Sequence, residues 1–140
     1  MSSTEPEALA KLLRARAAAG PLRMEVSGSS MGRTIVSGSA VWIVGAERPR
    51  WGEVWAFSEP AGQIAVHRCV GQHRGSPRFW GDANPMPDQQ PSSECLIGRV
   101  IRVEPPTGRP RSMGVLDRLG RSGLLWLRRL PGRTFRRLRA

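Results

Sequence analysis

The residues best suited to chemistry are a serine beside a glycine and one of only two histidines in the chain. Ser30 lies in Val26-Ser27-Gly28-Ser29-Ser30-Met31, and His67 lies in Ala65-Val66-His67-Arg68-Cys69-Val70. A hydroxyl is a poor nucleophile at neutral pH until a neighbouring base takes its proton. Free imidazole titrates near pH ~6.5 and can act as that base, whereas a lysine must first be buried. The only lysine, Lys11, is far upstream of Ser30, so His67 is the expected base.

Two aspartates and the serine turn itself offer the remaining parts of such a site. Asp82 lies in Gly81-Asp82-Ala83-Asn84, and Asp88 closes the same loop. A carboxylate behind an imidazole fixes its tautomer and stabilises the imidazolium that forms during attack. Gly28 permits a tight turn and close approach of a substrate backbone. We expect the oxyanion and substrate contacts at Gly28, Ser29 and Met31 and at the backbone N–H of Ser30.

The elements that must position these residues are short strands. Gly and Pro make up 28 of the 140 residues, which favours many turns. Short runs of β-branched or aromatic residues are separated by turn sequences, and this pattern predicts a mainly β fold, a small folded antiparallel sheet or barrel. The predicted strands are 41–44, 54–57, 64–70, 78–80 and 96–103. In the strand that contains His67, Cys69 shares the histidine's face and Arg68 the opposite one.

Helices are predicted at both ends of the chain. Thr4 and Glu7 form a capping-box pattern, so a short N-terminal helix should occupy residues 1–21. The β domain follows over 22–104, and the Pro- and Gly-rich segment 105–112 is typical of a linker. An Arg-rich tail, 113–140, begins with an amphipathic basic helix from Val115 to Leu130.

The tail carries much of the positive charge. The chain has a formal net charge of +11, and residues 113–140 contain eight arginines and one aspartate. Apolar residues of the predicted helix fall on one half of the helical wheel and arginines on the other, with Leu125 on the arginine side. We consider three partners for it: an anionic membrane surface, the domain's own surface and, less favoured, nucleic acid.

Other side chains carry less chemical information. Cys69 and Cys95 are expected to be buried free thiols, and His73 to be exposed in a hairpin loop. Two histidines and two cysteines without a close-spaced pair predict neither a metal site nor any other cofactor. No stretch approaches 18 apolar residues, and the first twenty lack an apolar signal core. We therefore expect a cytoplasmic protein, peripheral on the inner membrane face if the tail binds lipid.

The order of these segments resembles the type I signal peptidase family and its relatives, the self-cleaving repressors of the SOS type. The family's serine motif, Val-x-Gly-x-Ser-Met-x-Pro-Thr, is matched by residues 26–34, and the likeness extends over about residues 24–103. The sequence Val66-His67-Arg68 resembles the corresponding motif in the subgroup of endoplasmic-reticulum and archaeal enzymes, which use histidine as the base. Further matching segments are Trp51-Gly52-Glu53-Val54, Gly81-Asp82-Ala83-Asn84 and Ile97-Gly98-Arg99-Val100.

The resemblance implies a serine endopeptidase that cleaves after a small residue in an extended peptide or precursor protein. It assigns Ser30 as the nucleophile, His67 as the general base and Asp82 as the orienting acid, with Asp88 as the competing candidate. The chain departs from the family pattern at Arg33, where the family has proline, and at Ser39, where it has aspartate. These departures keep open a catalytically inactive peptide-binding module of the same fold. An Arg-rich nucleic-acid-binding protein is the third alternative.

Overall fold

A computed structural model describes residues 4–129 of the chain. The described part has two helices, seven strands and one 3-10 turn. In chain order the elements are α1 (Glu5–Ala19), β1 (Leu22–Glu25), β2 (Ala40–Val44), β3 (Val54–Ser58), β4 (Ile64–His73), β5 (Ser76–Trp80), the 3-10 turn (Ser93–Cys95), β6 (Leu96–Glu104), β7 (Arg111–Ser112) and α2 (Val115–Arg128).

All seven strands belong to one antiparallel sheet. The strand order is β1-β2-β6-β3-β4-β5, and the short β7 pairs with β6. The sheet is not closed into a barrel among the described residues, and β1 and β5 form its edges. The prediction of a mainly β, antiparallel fold is therefore confirmed, and of the two forms considered it is the open sheet.

The two faces of the sheet bury different cores. One face packs against α1 through Ala10 and Ala17, together with aliphatic side chains of β2, β3 and β6. The other face buries an aromatic group that comprises Trp55, Phe57, Ala65, Cys69 and Phe79. Successive residues of β4 alternate between the two cores, as the period of a strand requires. His67 and Arg68 therefore point to opposite faces, which decides what each can contact.

The predicted N-terminal helix is confirmed. The Thr4 hydroxyl accepts a hydrogen bond from the Glu7 N–H, and the Glu7 carboxylate accepts one from the Thr4 N–H, which completes the capping box. At the other end of the helix, Arg14 donates to the carbonyl of Leu96 at 2.7 Å and so ties α1 to the start of β6.

The segment interpreted as a linker, 105–112, returns to the sheet. Its last two residues form β7 opposite Arg102 and Val103 of β6, and Met113 then packs against the aliphatic core. This return delivers α2 to the domain surface instead of leaving it on a tether. Within 4–129, no helix has the length and apolar character needed to cross a bilayer.

Polar side chains attach helix α2 to the domain near its two ends. Asp117 accepts a hydrogen bond from Arg68 at 3.2 Å, and Arg129, directly after the helix, donates to the carbonyl of Gly81 at 3.1 Å. The Arg129 guanidinium also lies 3.9 Å from the centre of the Trp80 ring, a cation–π contact. Leu125, the leucine on the arginine side of the wheel, is half-buried and faces a cavity between α2 and the domain.

Candidate active site

Ser30 lies on the loop that joins β1 to β2. Gly28 has φ +91°, a left-handed conformation that favours glycine and lets the chain turn sharply before the serine. Two further turns follow, in which the Gly32 N–H donates to the Ser29 carbonyl and the Thr34 N–H to the Met31 carbonyl, each at 3.0 Å. Met31 is buried in the aliphatic core and anchors the loop, while the side of Ser30 remains partly open to solvent.

His67 lies opposite this serine. The Ser30 Oγ atom is 2.9 Å from Nε2 of His67, although the two residues are 37 positions apart in the chain. Such a distance is within the range for proton transfer between a nucleophile and its base. The prediction that these two side chains lie within hydrogen-bonding distance is confirmed.

The carboxylate that contacts His67 belongs to Asp88. Asp88 Oδ2 lies 2.6 Å from Nδ1 of the imidazole, and the Asp88 N–H donates to the carbonyl of Phe79, which holds the loop against β5. A carboxylate accepts but does not donate, so the imidazole carries its proton on Nδ1 and offers the lone pair of Nε2 to Ser30. Ser30, His67 and Asp88 thus form a continuous hydrogen-bonded chain.

Asp82, the preferred candidate for that position, contacts other groups. It accepts two hydrogen bonds from the Arg68 guanidinium, both 2.9 Å, and one from the Thr34 hydroxyl at 2.6 Å. The prediction that Asp82 lies behind the imidazole is therefore wrong, and the competing candidate, Asp88, occupies that place because of strand geometry. His67 and Arg68 point to opposite faces of β4, and each aspartate meets one of them.

The His67 ring is packed in a largely dry environment. Its side chain is 6% exposed, and the Phe57 ring meets it edge-on with a centroid distance of 5.9 Å. Contact with an aromatic edge restricts rotation of the imidazole about its side-chain bonds. Phe57 therefore helps to hold the imidazole in position, a contact that was not predicted from the sequence.

The segment Gly81–Asn84 supports the serine loop instead of the base. The Ala83 N–H donates to the Ser30 carbonyl at 2.8 Å, and the Asp82 N–H lies 3.4 Å from the Met31 sulfur. A Cβ atom at Gly81 would approach the Ser30 carbonyl oxygen to 2.7 Å, so only glycine allows this contact without a shift. The signal available in the sequence was the Gly-Asp dipeptide, but its partner was not predictable from it.

Arg68 is fully buried beside this loop and is heavily paired. Besides Asp82 it donates to the Gly52 carbonyl at 2.8 Å and to Asp117 of α2. Burial alone would lower the pKa of Arg68, but hydrogen bonds and charges from Asp82 and Asp117 outweigh it and raise the pKa above its usual value. For Arg129 the effect of burial is larger than the attraction of Asp82, so the pKa of Arg129 is lowered.

A groove of about 570 Å³ opens beside the Ser30–His67 pair. One wall is the end of β1 and the residues after it, and the other is the start of β4. Glu25, Glu59 and Asp88 all line it, so the groove is acidic in a chain whose net charge is +11. The lining residues are Met24, Glu25, Val26, Ser27, Ser30, Glu59, Gln63, Ile64, Ala65, Val66, His67, Asn84 and Asp88.

Of the three residues beside Ser30 that are expected to contact substrate, two are exposed at the turn and one is buried in the core. Gly28 and Ser29 are exposed at the turn, whereas Met31 points into the core and away from the groove. Met31 is therefore corrected from a substrate contact to an anchor of the loop, because the turn at Ser30 directs successive side chains to opposite sides. Ser27, which lines the groove, was not among the predicted residues.

The remaining reactive side chains lie away from this groove. His73 is exposed at the hairpin between β4 and β5, and Cys69 and Cys95 are buried free thiols, as predicted. Within the described residues, no three His, Cys, Asp or Glu side chains are grouped so that they could hold a metal ion.

Comparisons with protein-family models and with curated proteins return no match.

Proposed function

We propose that this protein is a serine endopeptidase in which Ser30, His67 and Asp88 form the catalytic chain. The observation that carries the proposal is the pair of short contacts made by one imidazole, 2.9 Å to Ser30 Oγ and 2.6 Å to Asp88 Oδ2. A structural histidine needs a partner for each ring nitrogen, but it does not need a serine at the wall of an open groove. The resemblance of the sequence motifs to signal peptidases supports the same reaction class.

The proposed reaction has two halves. In the first half, Ser30 Oγ attacks the carbonyl carbon of the scissile peptide bond while His67 Nε2 takes the hydroxyl proton. The proton then passes to the leaving amine nitrogen, the C–N bond breaks, and an ester to Ser30 remains. In the second half, water attacks that ester, and His67 again takes a proton and returns it to Ser30 Oγ.

Asp88 and the serine loop supply the electrostatic part of the mechanism. Asp88 accepts the Nδ1–H of the imidazole and stabilises its positive charge after the first proton transfer. We assign the Ser30 backbone N–H as a donor to the developing oxyanion. The internal hydrogen bonds of the loop engage the N–H groups of Gly28, Gly32 and Thr34, which fixes the backbone around that donor.

The groove suits an extended segment of polypeptide. β1 is an edge strand and lines one wall, so its free backbone edge can pair with a bound peptide in the manner of an added strand. The carboxylates of Glu25 and Glu59 favour a substrate with Lys or Arg near the scissile bond. We therefore propose a peptide or precursor protein with a basic residue close to the cleavage position.

A proteome-derived peptide library tests the proposal. Wild-type protein should generate new peptide termini that Ser30→Ala abolishes and that His67→Ala reduces by about 10²- to 10⁴-fold, the range for loss of a general base. His73→Ala is the matched control and should cleave like wild type, because His73 is exposed at a distant hairpin. Cleaved sequences should be enriched in Lys and Arg, and Glu25→Gln should weaken that enrichment.

Two outcomes contradict the proposal. Equal cleavage by Ser30→Ala and wild type would attribute the activity to another protein in the preparation. If wild-type protein makes no new termini, the peptidase assignment fails, and retention of peptides by that protein would instead identify a binding module.

A further inference from the structure

Three leucines of α2 are more than half exposed, and one of them, Leu124, also lines the cavity between α2 and the domain. Leu119, Leu124 and Leu127 are 54%, 51% and 52% exposed, and at 100° per residue they fall within an arc of about 140° on the helical wheel. Apolar side chains on a surface helix normally face the core. We call these three residues the leucine row.

The contacts of α2 keep the leucine row exposed. Asp117 pairs with the buried Arg68 near the start of the helix, and Arg129 contacts Trp80 and the Gly81 carbonyl just after its end. Rotation of the helix to bury the leucines would break both attachments and leave the Arg68 charge with fewer partners. The exposure of the leucine row thus follows from the way the helix is attached at both ends.

We propose that the leucine row is a docking surface for an anionic lipid bilayer. The chain continues from α2 into residues 130–140, which contain four arginines and no acidic residue. An apolar stripe followed by a cluster of cations is the combination that binds anionic membranes, because leucines enter the boundary of the acyl chains while arginines neutralise headgroups. Arg128, exposed at the edge of the row, adds a further cation beside it.

The same charges disfavour the other occupants of this surface. Pairing two copies of the chain through their leucine rows would bring two tails of net charge +7 together, which like-charge repulsion opposes. Nucleic acid would satisfy the arginines, but its phosphate-lined exterior offers no partner for three leucines. An anionic bilayer matches both the apolar row and the charge.

Sedimentation of the full chain with lipid vesicles tests the proposal without any substrate, so its outcome is separate from that of the peptidase assay. The protein should sediment with vesicles of phosphatidylcholine that contain about 30% of the anionic lipid phosphatidylglycerol. With vesicles of pure phosphatidylcholine, the amount of sedimented protein should be at least about tenfold lower. The variant with Leu119→Gln, Leu124→Gln and Leu127→Gln should lose about tenfold or more in affinity for the anionic vesicles.

The matched control is Leu12→Gln, since Leu12 is a leucine of α1 that is 63% exposed. It should bind vesicles like wild type. Circular dichroism of all variants checks that the fold is retained, and single substitution Leu124→Gln provides a milder variant with an intermediate loss.

Four results overturn the proposal. The first is wild-type protein that stays in the supernatant with anionic vesicles, and the second is a triple variant that pellets like wild type. The third is a dimer in solution that the leucine substitutions dissociate, which would identify a second copy as the occupant. Retention on DNA or RNA that requires the leucines, without vesicle binding, counts against it in the same way.

Discussion

Two adjacent residues of β4 serve two different purposes. His67 connects Ser30 to Asp88 on one side, and Arg68 connects Asp82 to the carbonyl of Gly52, in the turn before β3, on the other. The alternation of side chains along a strand was predictable, and with it the opposite directions of His67 and Arg68. Which aspartate meets which residue depends on how the loop after β5 bends, and both aspartates lie in that one loop.

Substitution of each aspartate by asparagine should separate the two roles. Asp88→Asn should lower the rate of peptide cleavage on the order of 10⁴-fold with little loss of stability, because an amide cannot hold the same tautomer of His67. Asp82→Asn should instead lower the free energy of unfolding by about 3 to 5 kcal/mol, because it leaves the buried Arg68 charge without its main partner. Steady-state kinetics and urea denaturation measure the two effects.

The opposite pair of results would contradict the assignment of Asp88 to His67 and of Asp82 to Arg68. If Asp82→Asn lost activity at full stability while Asp88→Asn cleaved normally, the geometry around His67 would not describe the reacting state.

At the scale of elements, two loops from distant parts of the chain form one unit. The serine loop between β1 and β2 and the Gly81–Asn84 segment after β5 are joined by the Ala83-to-Ser30 hydrogen bond, the Thr34-to-Asp82 hydrogen bond and close contact at Gly81. Ser30 is therefore positioned by a segment about fifty residues away from it in the chain. Neither loop has a sequence pattern that reveals the other.

Gly81→Ala should displace this unit. The added methyl group would lie 2.7 Å from the Ser30 carbonyl oxygen, so the serine loop has to shift, and we expect the cleavage rate to fall at least about tenfold, since small misplacements of reacting groups carry such costs. Gly20→Ala is the control, because a Cβ there meets no atom within 4 Å. Equal rates for both variants would show that the loop contact does not position the nucleophile.

The strands that were predicted and those that were missed differ in what specifies them. β2, β3, β4, β5 and β6 contain β-branched and aromatic runs that bury at least one face, and each was predicted within a few residues. β1 and β7 are short, with four and two residues; β1 pairs with β2 and places Leu22 and Met24 against the aliphatic core, whereas β7 pairs with β6. Runs this short are at or below the length at which the alternation of a strand can be recognised in a sequence.

Across the whole molecule, α2 is connected to the site through Arg68. The helix contributes Asp117 to the same guanidinium that holds Asp82, and Asp82 in turn holds Thr34 of the serine loop. Attachment of α2 and support of the loop that carries Ser30 thus share one buried cation, Arg68.

Asp117→Asn should loosen α2 while the sheet stays folded. Loss of a charged hydrogen-bond partner of a buried arginine should lower the free energy of unfolding by about 1 to 3 kcal/mol. Trypsin should then cleave faster at the arginines of α2, as mass spectrometry of the fragments would measure. Glu47→Gln, at an exposed loop position, should digest like wild type. Unchanged cleavage of α2 in Asp117→Asn would mean that the ion pair does not hold the helix.

The amino-acid order by itself determined the antiparallel β class, the capped N-terminal helix, and the choice of Ser30 and His67, because each depends on local propensity, periodicity or residue type. Only the tertiary structure decided that Asp88 contacts His67, that Met31 anchors the serine loop, and that three leucines of α2 are exposed. These outcomes depend on where loops bend and which charge a buried Arg68 can reach. Contacts between distant segments depend on packing and on the pairing of buried charges, and neither can be predicted from the sequence of a single segment.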